Sequence, residues 1–240
     1  INFSKRPQVQ SYTQNSKSAL FNGMINPIIP YNIKGSIWYQ GENNVSRFKE
    51  YETLFPAMIK DWRKKWNSDF PFYFVQIAPF ENYNGLSSSL RNVQRKTLKV
   101  EKTGMVVTLD IGEIDDIHPS NKHDVGYRLA GLALSNDYGK PIVASGPLYE
   151  NFEVSGNKLI VTFDFVGSGL TSYDKELAAF EIAGADKKYV KAKAYIENNK
   201  VYIYSSKIQN PKYARYAWKD TSIASLFNKE GLPASTFTTE

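Results

Sequence analysis

Up to residue 140 the chain alternates between short β-favouring apolar runs and longer segments whose apolar residues recur every three or four positions; beyond it the helical period disappears. This alternation constrains the fold more than any single motif. Strands separated by helices pair in parallel through right-handed crossovers, and a parallel sheet has to be covered by helices. Ser36–Tyr39, Phe72–Ala78 and Met105–Ile111 read as the strands. Tyr51, Leu54, Phe55, Met58, Ile59, Trp62 and Trp66 mark one helix face, with Pro56 predicting a kink or a restart. A second helix is expected behind a Ser87-Ser88-Ser89 cap, turning Leu90, Val93, Thr97 and Leu98 inward. A third starts from Ser120 or Asn121 as N-cap, buries Val125, Leu129, Leu132 and Ala133, and stops near Gly139. Ahead of the first strand, residues 1–19 form a polar lead-in and Leu20–Pro30 a short helical turn.

Past Pro141 hairpins take over. Phe152–Val154, a Ser-Gly-Asn turn and Leu159–Phe163 make one; Tyr195-Ile196, Asn198-Asn199 and Val201–Tyr204 make another; Phe180–Ile182 and Tyr213–Trp218 add strands. The expected organisation is an α/β part over residues 1–142 and an antiparallel β-sandwich over 143–240. With 240 residues either part can bury a core. The absence of cysteine excludes a disulfide framework, thiolate zinc sites and a cysteine nucleophile. The net charge of +6 comes from cations interleaved with acids; the densest group, Lys60, Arg63, Lys64 and Lys65, reads as a solvated helix face, so nucleic acid is not a predicted partner. No apolar stretch approaches membrane-spanning length, and no membrane partner is predicted.

Two polar clusters follow strands, at the carboxyl ends where open α/β sheets hold their ligands. One is Gln40-Gly41-Glu42-Asn43-Asn44, the other Asp115-Asp116-Ile117-His118-Pro119. A carboxylate near a histidine can hold one imidazole nitrogen and leave the other free as a base, which makes His118 the candidate general base. Asp115 stands three residues before it, Asp116 is next in line, and either could instead cap the following helix. Paired carboxylates for a glycosidase are disfavoured, because consecutive loop residues rarely face each other across a sugar. His118 and His123 lack a His-Glu-x-x-His pattern, so no metal or other cofactor is predicted. A carbohydrate-binding role without catalysis is the rival reading, since tyrosines can stack on sugar rings.

Trp38-Tyr39-Gln40-Gly41-Glu42-Asn43-Asn44, the earlier Phe21-Asn22-Gly23-Met24-Ile25 and the Asp115–Pro119 segment together resemble the sialate O-acetylesterase family, carbohydrate esterases of the SGNH hydrolase superfamily. The likeness continues through Asn121-Lys122-His123-Asp124-Val125-Gly126 and Gly231-Leu232-Pro233-Ala234-Ser235. It implies a flavodoxin-like three-layer α/β hydrolytic domain followed by a β-sandwich, a serine nucleophile with His118 as its base, and Asp115 orienting the imidazole. By the same match Gln40 is the expected oxyanion donor, a contribution of roughly 3–4 kcal/mol of barrier. Gly41 allows close backbone approach, and Glu42 and Asn44 brace the loop. The implied substrate is O-acetylated sialic acid or another acetylated glycan, with an acetylxylan-type esterase as the alternative, and the implied location is secreted or periplasmic. The family's Gly-Gln-Ser-Asn nucleophile segment and its Gly-Gly-Thr segment do not occur here. The chain therefore reads as a C-terminal portion whose serine comes from a missing N-terminal segment, and the 240 residues alone are expected to hydrolyse almost nothing.

Overall fold

A computed structural model describes residues 11–240. Of the polar lead-in, residues 1–10 lie outside the described residues. A π-type turn at Phe21–Ile25 and a 3-10 turn at Asn26–Ile28 then lead to three parallel strands, β1 (Ser36–Trp38), β2 (Phe72–Val75) and β3 (Thr103–Val106), side by side in that order. Two of them stop short of their apolar runs: Gln76–Ala78 and Val107–Leu109 stay buried past the strand ends, with Gln76 N still donating to Val106 O at 2.8 Å. Helix α1 (Phe48–Trp66) links β1 to β2, α2 (Ser87–Thr97) links β2 to β3, and α3 (Lys122–Asn136) follows β3.

The period of two along β2 and β3 sorts these helices. Phe72, Phe74 and Met105 pack with Tyr51, Phe55 and Ile59 of α1 and with Leu90 and Val93 of α2. Tyr73, Val75 and Val106 point the other way, onto Val125, Leu129 and Leu132 of α3. Helix α1 runs through Pro56 without the expected restart, since an aromatic cluster of Trp38, Phe55, Trp62 and Phe72 fixes both halves. Arg63 is not part of a solvated face: it is buried, donating from Nε to Phe70 O and from both Nη atoms to the carbonyls of Glu101 and Lys102. It ties the end of α1 to the starts of two strands.

The serine cap predicted for α2 is also replaced. Ser87 and Ser88 are buried inside the first turn, and the cap comes from Asp220, whose carboxylate accepts from Ser87 N and Ser87 Oγ on one oxygen and from Gly85 N on the other, at 2.6–3.0 Å. A carboxylate placed there satisfies orphan N–H groups and meets the positive end of the helix dipole. A sequence window around Ser87 cannot see a partner 133 residues away.

The remaining strands are β4 (Leu148–Ser155), β5 (Lys158–Asp164), β6 (Leu170–Thr171), β7 (Phe180–Ala183), β8 (Val190–Lys191), β9 (Lys193–Glu197), β10 (Lys200–Tyr204), β11 (Tyr213–Tyr216), β12 (Phe227–Asn228) and β13 (Phe237–Thr238). They pair antiparallel in the orders β4-β5-β10-β9, β13-β11-β7-β8 and β12-β6. The fold is thus mixed α/β, a parallel sheet joined to antiparallel ones. Asn198 and Asn199 take φ of 51° and 58°, the left-handed geometry of a tight β9–β10 turn. The chain end then returns to the parallel sheet. Ser235 Oγ accepts from Gln76 Nε2, and Thr236 Oγ1 accepts from the fully buried Arg91, whose Nη2 also donates to Ala217 O and Lys219 O. One apolar cluster runs from Phe55 to Phe237 across both kinds of sheet.

Candidate active site

Both polar clusters leave the carboxyl ends of parallel strands, the first from β1 and the second from the segment after β3. They are held in different ways.

After β1 the backbone dives into the core. Gly41 is buried, and a Cβ there would sit 2.9 Å from Ile77 Cγ2, 3.1 Å from Gln94 Nε2 and 3.2 Å from Leu90 Cδ2. Glycine is required by this close approach, whatever the site does. Gln40 Nε2 donates to Asn44 Oδ1 at 2.7 Å, and Tyr51 OH donates to Gln40 O at 3.2 Å. Asn44 N donates to Gly41 O at 2.8 Å, closing the turn that starts the helical stretch Glu42–Arg47. Gln40, Asn44, Tyr51 and Trp38 line a cavity of about 430 Å³ beside α1. Burial, with the charge of Glu42 adding to it, pushes the Tyr39 phenol up to about 12; Tyr51 and Tyr83 are raised by the same two causes.

The second cluster hangs on a largely shielded ion pair that sequence reasoning missed. Arg128 on α3 grips Asp110 with both Nη atoms, at 2.8 and 2.5 Å, and also donates to Val107 O at 2.6 Å. Beyond Asp110 the loop makes its own clamps. Glu113 accepts from Ser120 N at 2.7 Å and from Ser120 Oγ, and these bonds hold its carboxyl below the ordinary range. Asn121 is the N-cap of α3, its Oδ1 accepting from Asp124 N at 3.1 Å. His118 projects from this loop with its side chain 87% exposed. Asp116 Oδ1 accepts from the His118 backbone N at 2.7 Å and lies 3.9 Å from its Nδ1. Asp115 is exposed and makes no hydrogen bond to the imidazole, so of the two acids the nearer is Asp116.

Lys122 connects the two loops. Its Nζ donates to Pro119 O at 2.6 Å and stands 5.4 Å over the ring of Tyr39, the residue before Gln40. The structure thus brings Gln40, Gly41 and Asn44 into one interlocked unit with Glu42 beside them, and sets the His118 loop next to it. His118 and Asp115 do not line the cavity that Gln40 and Asn44 line. Among the described residues no three His, Asp or Glu side chains gather as a metal site, and no helix is long and apolar enough to cross a membrane.

The pattern of a family described as carbohydrate esterase, sialic acid-specific acetylesterase matches residues 7–135, more than half of the chain. The chain belongs to this family. The matched span holds both loops. Sialate O-acetylesterase of Rattus norvegicus is 33% identical over 172 residues, 61% of this chain and 32% of that protein. The Mus musculus enzyme is 31% identical over 183 residues, 66% of this chain and 34% of its own length. A crystal structure of a carbohydrate acetylesterase from Xanthomonas citri superposes with a TM-score of 0.88 at 38% identity, over 92% of this chain and 54% of that one. The chain therefore spans about a third of the length of the curated relatives it matches and just over half of the solved family member.

Proposed function

We propose that these residues are the base-bearing portion of a serine carbohydrate esterase that removes O-acetyl groups from sialic acid or a related acetylated glycan. The observation behind this reading is the pairing, in a chain of the acetylesterase family, of a free imidazole after β3 with an amide-lined loop after β1. The nucleophilic serine comes from polypeptide outside the 240 residues. A division of the chain at about residue 142 and a secreted or periplasmic location belong to the same reading.

In the acylation step one nitrogen of His118 takes the proton of the serine hydroxyl as its oxygen attacks the acetyl carbonyl. The developing oxyanion is met by Gln40, whose amide carries two N–H groups and has committed one to Asn44. Collapse breaks the bond to the sugar oxygen, which leaves as a hydroxyl by taking the proton from His118, and an acetyl-serine remains. His118 then deprotonates a water that attacks this ester, and returns the proton to the serine oxygen as the acyl bond breaks and acetate leaves. Asp115 orients the imidazole by family position, while Asp116 shapes the turn through the His118 backbone N.

The test compares the 240 residues alone with the same residues joined to their upstream polypeptide, on an O-acetylated sialic acid. Acetate release only by the longer protein, with an organophosphate labelling an upstream serine, is the expected result. Normal turnover by the 240 residues, or labelling of a serine inside them, refutes the reading.

A further inference from the structure

A second cleft, of about 1140 Å³, opens at the opposite end of the parallel sheet. Its floor includes Tyr73 and Gly104, at the starts of β2 and β3, whereas Gln40 and His118 lie past the carboxyl ends of strands. Four ladder residues at ~3.3 Å each separate the two ends by ~13 Å, so one monosaccharide cannot touch both. From the far side, Tyr149, Asp164 and Phe165 close the cleft.

Arg95 is the notable wall residue. It is half-buried, stacks 5.5 Å over the Tyr149 ring, and donates from Nε and Nη2 to the neutral Asn92 Oδ1 at 3.2 and 2.8 Å. No carboxylate pairs with it among the described residues, and desolvation accordingly lowers its pKa. Its neighbour Lys96, by contrast, is paired with Glu52 at 3.0 Å. A desolvated guanidinium without a counter-charge, on the wall of an open cleft, is an anchor for an anion, and its planar fork suits a carboxylate. The rest of the lining carries charge of both signs, Lys96, Lys99 and Lys102 beside three acids, unlike the wholly basic lining that suits a phosphate. Asp137, Glu150 and Asp164 also line the cleft; Asp137 accepts from Tyr73 OH at 2.7 Å, and carboxylates accept sugar hydroxyls while repelling a polyanion. Phe165 stands 55% exposed on the rim at a φ of 58°, an aromatic face held toward solvent.

We infer that this cleft is a second, non-catalytic binding site for a carboxylate-bearing sugar: Arg95 takes the carboxylate, the acids take hydroxyls, and Phe165 covers a ring face. The choice of an acidic sugar rests on the esterase reading above; the need for an anion rests on Arg95, with Lys99 and Lys102 on the same lining.

The test titrates free, unacetylated sialic acid into the 240-residue chain by calorimetry, with N-acetylmannosamine as the uncharged control. Saturable binding of the acid is expected, weaker by about tenfold or more for the uncharged sugar and for Arg95→Met. Phe165→Ser, at an exposed site, should also weaken binding with an unchanged circular dichroism spectrum, which covers the case of a misfolded Arg95 variant. His118→Ala should bind as the parent does. The inference is overturned by no saturable binding, by equal binding of the uncharged sugar, by full affinity in both cleft variants, or by loss of binding in His118→Ala. None of these readings requires hydrolysis, so the esterase reading can fail or survive separately.

Discussion

The Gln40 loop and the His118 loop leave the same end of one sheet and are built in opposite ways. Around Gln40 the loop is locked from below: a Cβ on Gly41 would run into Ile77 and Leu90, and Gln40 is bonded to Asn44 and Tyr51. Around His118 the Asp110–Arg128 pair, the bond from Glu81 N to Ile114 O and the half-buried Ile117 seat the base of the loop on the core, but its tip holds itself by turns, with the imidazole in solvent. One half of the candidate site is thus part of the core, set by packing. The other ends in an exposed imidazole. Preorganised donors and a reachable base are both needed for acyl transfer, but they make different demands on the surrounding chain.

The largest break in that comparison is His118→Ala in the complete enzyme. Turnover should fall by about 10⁴-fold or more, while thermal stability stays put because the side chain is exposed. Asp115→Ala should then cost more in kcat than Asp116→Ala; the reverse order would transfer the orienting role to the nearer acid. Unchanged acetate release after His118→Ala would remove the base from the mechanism.

Arg128→Met attacks the anchor instead of the arm. The side chains of Arg128 and Asp110 are only 10% and 18% exposed, and stripping one partner from such a pair costs about 3–5 kcal/mol. Chemical denaturation should show that loss, and Asp110→Asn with Arg128→Met should lose less than the two single changes summed. Additive losses would mean that the two residues do not act as a pair.

On the packed side, Gly41→Ala should destabilise by about 1–3 kcal/mol, because the new methyl must displace Ile77 or Gln94. Gln94 has little room to give: it accepts from Ile77 N at 3.0 Å and donates to Val75 O at 3.1 Å. A neutral Gly41→Ala would show the loop to be less tightly seated than these contacts indicate.

The sequence made the α/β alternation, the hairpins, Asn121 as a cap and the family legible, because each is written in local spacing or in contiguous segments. Asn198-Asn199, for example, announces its turn by residue type alone. What stayed hidden depends on distant contacts. Arg63 and Arg91 look like surface cations in any window, yet they donate to carbonyls 38 and 126 residues away. Asp220 caps α2 from the other end of the chain, and Tyr51, legible as core, proved to brace Gln40. Arg128 carried one faint signal, a cation among the apolar positions of α3 pointing back toward Asp110. The exposure of His118 had none, since composition says nothing about which side of a loop faces solvent.

The smallest effect separates the two loops by acidity. Glu113 and Asp124 clamp the ends of the His118 loop, and hydrogen bonds from Ser120 and Asn121 hold both carboxyls below their ordinary values. A group whose folded pKa is depressed contributes stability that is complete above its unfolded value, about 4 for these side chains, and lost as pH falls through the lower folded value. Both groups are exposed, so the change should be local and leave the fold intact. The Gln40 loop is held by neutral amides and by Tyr51, whose pKa is raised, and nothing in that set gains a proton in acid. Hydrogen exchange followed below pH 5 should therefore show the amide of Ser120, bonded to Glu113, losing protection while Asn44 N, bonded to Gly41 O, keeps its own. Glu113→Gln should flatten the response at Ser120. If the two amides lose protection together, the loops open as one unit and the contrast between a packed wall and a self-clamped arm does not hold.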